Sequence, residues 1–146
     1  MAIIPPSSAN SAPRFADSII KARKFSARSA STTTCNGYVL APWPNRIENG
    51  EYDFNGKHYC APVNEYHPAP RNNANHGYAY HYMWKLESLT DSAVTLSLRF
   101  PNLDGYPFDV TVTVTYELGD NGMTATVNAR NDGDEPAPWA LGLHPW

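Results

Sequence analysis

From Ala93 to Ala129 apolar and polar residues alternate with a period of two, and no other feature limits the fold as tightly. Val94, Leu96, Leu98 and Phe100 alternate with Thr95, Ser97 and Arg99. Phe108, Val110, Val112, Val114 and Tyr116 alternate with threonines at 111, 113 and 115, and Met123, Ala125, Val127 and Ala129 resume the pattern. Successive side chains of a strand point to opposite faces, so each run describes a strand with one buried and one wet face. Pro101-Asn102-Leu103-Asp104-Gly105 breaks the first run, and Gly119-Asp120-Asn121-Gly122 is a turn between the second and third. Three successive strands joined by short turns pair antiparallel or face one another across a sandwich. Upstream, Asn55-Gly56 separates Tyr52-Asp53-Phe54 from Lys57-His58-Tyr59 and is the strongest short hairpin signal in the chain. No segment keeps the ~3.6-residue helical period over three turns. The class is all-β. Residues 61–82 hold prolines, asparagines and aromatics without a sustained period and read as a long ordered loop, a place where β scaffolds carry sites.

At 146 residues the chain has room for one domain with a moderate core. Charge is uneven. Residues 1–35 carry five basic side chains against Asp17, a net of +4, which leaves six basic and 13 acidic residues, a net of −7, for the rest. The acidic remainder argues against a nucleic-acid-binding face. Cys35 and Cys60 set no disulfide framework and read as two ordinary thiols. No apolar run approaches the ~18 residues that span a membrane, so no membrane partner is expected. Residues 1–36 are Ser- and Ala-rich and basic, a loose fit to a transit peptide. The preferred reading is a disordered or non-homologous extension, with a domain over residues 37–146 and a cytoplasmic location.

Three residues stand out for chemistry. Arg46, in Pro44-Asn45-Arg46-Ile47, offers a rigid fork of donors suited to hydroxyls or a carboxylate. The simpler reading is a loop arginine paired with Glu48 or Glu51. His76, between Asn75 and Gly77, can act as acid, base or neutral donor near neutral pH, or merely cap a turn. His144 precedes Pro145, which biases it to an extended conformation; the bland alternative is a frayed end. His58, His67, His76 and His81 match no zinc spacing, and His58 with Cys60 on one strand face is a single weak pair, so no metal is expected.

Taken in order, these segments resemble the amino-terminal half of an aldose 1-epimerase (galactose mutarotase-like) protein. The landmarks are Pro44-Asn45-Arg46-Ile47, Gly50 to Gly56, Asn64, Asn73-Ala74-Asn75-His76-Gly77, Trp84, Gly105-Tyr106-Pro107-Phe108, Tyr116-Glu117-Leu118, Asn131-Asp132-Gly133, Ala137-Pro138 and Gly142-Leu143-His144-Pro145. The resemblance implies a galactose mutarotase-like antiparallel β-sandwich, here truncated, with a sugar cleft on one sheet. It implies interconversion of the α and β anomers of a free aldohexose such as galactose or glucose, without a cofactor. Carried over, His144 would be the general acid toward the ring oxygen and His76 would assist there or bind a hydroxyl. Arg46 would bind sugar hydroxyls, Asn45 would support the loop, and Trp146 would stand where the family commonly has tyrosine. The family's glutamate base comes from its carboxyl-terminal half; none of Glu48, Glu51, Glu65 or Glu117 matches it. The alternatives are a non-catalytic carbohydrate-binding β domain, with Tyr78, Tyr80, Tyr82 and Trp84 stacking on sugar, or an inactive fragment with strand edges such as 108–116 uncovered.

Overall fold

The computed structural model describes residues 37–65 and 72–145. The extension expected over residues 1–36, Cys35, His67 and the substrate-binding assignment of Trp146 therefore lie outside the described residues. Ten strands follow one another: β1 (Tyr38–Leu40), β2 (Arg46–Glu48), β3 (Glu51–Phe54), β4 (Lys57–Cys60), β5 (Asn73–Asn75), β6 (Lys85–Leu89), β7 (Ala93–Leu103), β8 (Tyr106–Gly119), β9 (Gly122–Asn131) and β10 (Gly142–His144). Among the described residues a 3-10 turn, Ala79–His81, is the helical exception. The class is all-β, as the alternation implies. No helix among the described residues is long and apolar enough to cross a membrane.

The alternating runs form a four-stranded antiparallel sheet in the order β6-β7-β8-β9. Strand β8 shows why. Tyr106, Phe108, Val110, Val112 and Val114 are all buried, while the threonines between them are not, so one face carries the core. On the wet face, Thr95 and Thr115 are register partners whose hydroxyls lie 3.0 Å apart. Residues 108–116 are not an uncovered edge: β7 and β9 flank them, and β6 and β9 are the outer strands. Nor does Pro101 end β7. The strand continues to Leu103 through a register shift at Asn102, whose φ of 52° takes up the extra residue.

Three two-stranded ladders complete the structure: β1 with β10, β2 with β5, and β3 with β4. The β3–β4 hairpin turns at Asn55-Gly56 with φ of 50° and 72°, the two positive values a type I′ turn needs. Its Phe54 and Tyr59 pack on Phe108 at ring distances of 5.9 and 5.5 Å. The segment 61–82 is more structured than a loop, since it contributes β5 and the 3-10 turn. Tyr78 meets Trp43 edge-on at 5.2 Å, Tyr80 stacks on Tyr38 at 5.7 Å, and the Trp84 indole donates to the Ala79 carbonyl at 3.1 Å. Val39, Ala41, Trp43, Ala74 and Ala79 from these pieces close over the sheet's buried face.

Candidate functional site

The short ladders bring together residues far apart in sequence. Strand β2 runs antiparallel to β5 with Arg46 opposite Asn75, which places His76 beside Asn45. The two are locked in both directions. The His76 amide donates to the Asn45 carbonyl at 2.8 Å, and the Asn45 amide donates to His76 Nδ1 at 3.0 Å. Both take left-handed backbone, φ 60° at Asn45 and 63° at His76. Because Nδ1 accepts a hydrogen bond, the neutral imidazole carries its proton on Nε2 and presents that nitrogen as a donor.

The ladder of β1 with β10 delivers the second histidine. His144 pairs with Tyr38, and its carbonyl accepts from the Gly37 amide at 2.6 Å. It is an extended, paired strand residue, as Pro145 led one to expect. The rings of His76 and His144 stand 5.7 Å apart at 82°, an edge-to-face pair. Residues 68 positions apart in the chain thus face one another.

Arg46 has a partner, but neither Glu48 nor Glu51. Glu65 Oε1 accepts from Arg46 Nε at 2.7 Å and lies 2.5 Å from Nη2, and Asn45 Oδ1 accepts from Nη1 at 3.1 Å. The other Glu65 oxygen accepts from Asn73 Nδ2 at 2.8 Å. Glu65 is buried, and no periodic signal in the sequence marks it. Among the described residues these bonds use three of the guanidinium's five N–H groups, leaving one on each terminal nitrogen. Beneath them Asn64 clamps β5, accepting from the Asn75 amide at 2.6 Å and donating to the Asn75 carbonyl at 2.9 Å. A cleft of about 410 Å³ opens beside this cluster, lined by Tyr38, Tyr80, Tyr82 and Trp84 and by neither histidine.

Burial, then the neighbouring His144 and Arg46, hold the His76 imidazole below the ordinary histidine value, with Glu65 opposing them. Burial does the same to His81. A histidine lowered in the folded state takes its proton more readily when unfolded, so the stability it contributes is complete above the unfolded value of 6.5 and is lost as pH falls through the folded value. The carboxylates of Glu87, Asp109 and Asp132 are held low first by hydrogen bonds from Ser97, Arg99 and Arg130, so they titrate at more acid pH. The urea midpoint is therefore expected to drop between about pH 7 and pH 5, less steeply in His76→Asn, which keeps the left-handed backbone. Equal slopes in the two proteins would remove His76 as a source.

The described residues thus form an antiparallel β structure of the galactose mutarotase-like kind, with two histidines and an arginine gathered by short ladders. The profile of the aldose 1-epimerase family matches residues 11–146, and the chain belongs to that family. The match takes in residues 11–36 as well as the described domain. The chain is 38% identical over 111 residues to the uncharacterised protein YihR of Escherichia coli K12, which covers 75% of this chain and 35% of YihR. It is similar to a galactose mutarotase-like protein from Lactobacillus casei, with a TM-score of 0.60 and 28% identity over 72% of this chain and 32% of that one. A GalM/aldose epimerase homologue from C. elegans shares the fold at a TM-score of 0.64 and 24% identity, over 82% of this chain and 35% of that chain. The chain spans about a third of the length of these relatives.

Proposed function

We propose that residues 37–145 hold a free aldohexose and supply the acid side of an aldose 1-epimerase site. The observation that carries this reading is the edge-to-face pair of His76 and His144, with Arg46 held beside it. Anomer exchange needs one group to protonate the ring oxygen while another takes the proton from the C1 hydroxyl. The ring then opens to the aldehyde, rotates about C1–C2 and closes on the other face. His144 is the proton donor toward the ring oxygen in this reading. His76, fixed as a neutral Nε2–H donor, binds the ring oxygen or a hydroxyl, and Arg46 binds hydroxyls through its two remaining N–H groups. Asn45 supports both, since it accepts from Arg46 and donates to His76. A positioned acid or base contributes roughly 10²–10⁴-fold. We assign no base: Glu65 is spent on Arg46 and Asn73, and by resemblance the base belongs to the carboxyl-terminal half of the family.

Titrating galactose or glucose into the 146-residue chain is expected to shift the His76 and His144 imidazole proton signals saturably in NMR spectra. If neither imidazole moves at high millimolar sugar, the site is wrong. With no base assigned, polarimetry is expected to show no mutarotation above buffer. Acceleration that disappears in His144→Ala would instead show that this chain catalyses the exchange as it stands.

A further inference from the structure

The β3–β4 hairpin gathers a second set of chemical groups outside the histidine pair. Its register places Glu51 opposite Cys60 and Asp53 opposite His58, so all four share one face. That face points to solvent. One donor atom from each of Glu51, His58 and Cys60 lies within 4.8 Å of the other two. Asp53 stands outside this trio and accepts from His58 Nδ1 at 2.9 Å. With Nδ1 donating to a carboxylate, the free lone pair of the imidazole sits on Nε2. A carboxylate behind a histidine is the arrangement that orients metal-binding imidazoles.

The opposite face of the hairpin makes a firm base. Tyr52 and Tyr59 stack at 5.1 Å, and the Tyr52 hydroxyl donates to the Gly105 carbonyl at 2.6 Å. Gly105 has φ of 68° and approaches so closely that a Cβ there would stand 2.3 Å from the Cys60 carbonyl oxygen. The ligand-bearing strands are thus pinned from behind.

We propose that this face binds a divalent cation of the zinc class through Cys60 Sγ, His58 Nε2 and a Glu51 carboxylate oxygen, with water as fourth ligand and Asp53 orienting His58. Sulfur, nitrogen and oxygen donors together select a borderline cation over magnesium or calcium. Tetrahedral zinc at its usual bond lengths sets ligand atoms roughly 3.4–3.7 Å apart, within reach of small side-chain rotations from the present spacing. On binding, the Cys60 thiol gives its proton to solvent and its sulfur lone pair to the metal; nothing is oxidised or reduced. The histidine spacings hide this site because only one of its ligands is a histidine.

Cobalt(II) is a suitable probe, in a Cys35→Ser chain so that Cys60 is the remaining thiol. One cobalt per chain is expected, with a thiolate-to-cobalt charge-transfer band in the near ultraviolet that zinc abolishes. Cys60→Ser should remove the band, His58→Ala and Glu51→Ala should weaken binding, and Asp53→Ala should weaken it about 10–100-fold. Circular dichroism would check that each variant stays folded. Zinc should also slow alkylation of Cys60 by iodoacetamide in the unaltered chain. Absence of the band, its persistence in Cys60→Ser, undiminished binding in His58→Ala, or alkylation that zinc leaves unchanged would each overturn the proposal.

Discussion

Gly77→Ala is expected to destabilise the folded chain by about 2–5 kcal/mol, the sum of an overpacking cost and the left-handed penalty on a residue with a Cβ. A Cβ at Gly77 would stand 2.2 Å from the Ala41 carbonyl oxygen, 2.4 Å from the Ala41 carbonyl carbon and 2.8 Å from Pro42 N, all of them backbone. None can rotate aside as a side chain would. The φ of 63° adds strain that alanine does not escape by repacking. The same carbonyl oxygen of Ala41 accepts from the amides of Tyr78 and Ala79 at 2.7 and 3.0 Å, so moving it loosens the 3-10 turn as well. A loss of this size is a large share of the ~5–15 kcal/mol that holds a typical domain together. Urea unfolding followed by tryptophan fluorescence would show it as a lower midpoint or the loss of a cooperative transition. A change under about 0.5 kcal/mol, the usual size at an unconstrained surface position, would mean that Gly77 does not sit tightly against Ala41.

The sequence showed what local physics determines and concealed what distant pairing determines. Strands β7, β8 and β9 are legible because they are long enough for a period of two to repeat several times, and Asn55-Gly56 marks its own turn. Even the cluster of Glu51, His58 and Cys60 was within reach, since a two-residue turn fixes the pairing of the strands it joins. Strands β1, β2, β5 and β10 are three residues each, too short for any period to show. Their partners lie across long stretches of chain, so tertiary packing decides them. The consequence falls on the site. His76 and His144 could be singled out as unusual residues in unusual loops, but their meeting depends on two such short ladders. No sequence pattern marks Glu65 as the partner of Arg46 for a related reason: it follows Asn64 in an irregular segment, and its burial comes from what closes over it. The aromatics from Tyr78 to Trp84 alternate without forming a strand, because Tyr80 lies in a 3-10 turn and stacks on Tyr38 while Tyr78, just before the turn, packs on Trp43.

Whether Arg46 acts on ligand or only balances a buried charge is separable by a double-mutant cycle with Glu65. The pair is unequal: the Arg46 side chain is 41% exposed and that of Glu65 only 6%. Removing the partner of a fully buried charge costs about 3–5 kcal/mol, and exposure of the arginine reduces this, so Arg46→Ala is expected to cost about 2–3 kcal/mol. Most of that reflects a buried carboxylate that has lost its arginine. In a Glu65→Gln background no buried charge remains, and the same Arg46→Ala change should cost about 1 kcal/mol, the worth of an ordinary hydrogen bond. The resulting coupling is about 1–2 kcal/mol. Sugar binding gives the second axis. Glu65→Gln leaves the guanidinium in place but frees it from the salt bridge that aims it, so affinity for galactose or glucose should fall while the chain stays folded. Arg46→Lys keeps the charge and loses the fork, and should not restore binding. Additive stability changes would show that the two side chains are not coupled. Coupled stability with sugar affinity unchanged in Glu65→Gln, Arg46→Lys and Arg46→Ala alike would leave Arg46 a structural residue and return the sugar-holding role to the two histidines alone.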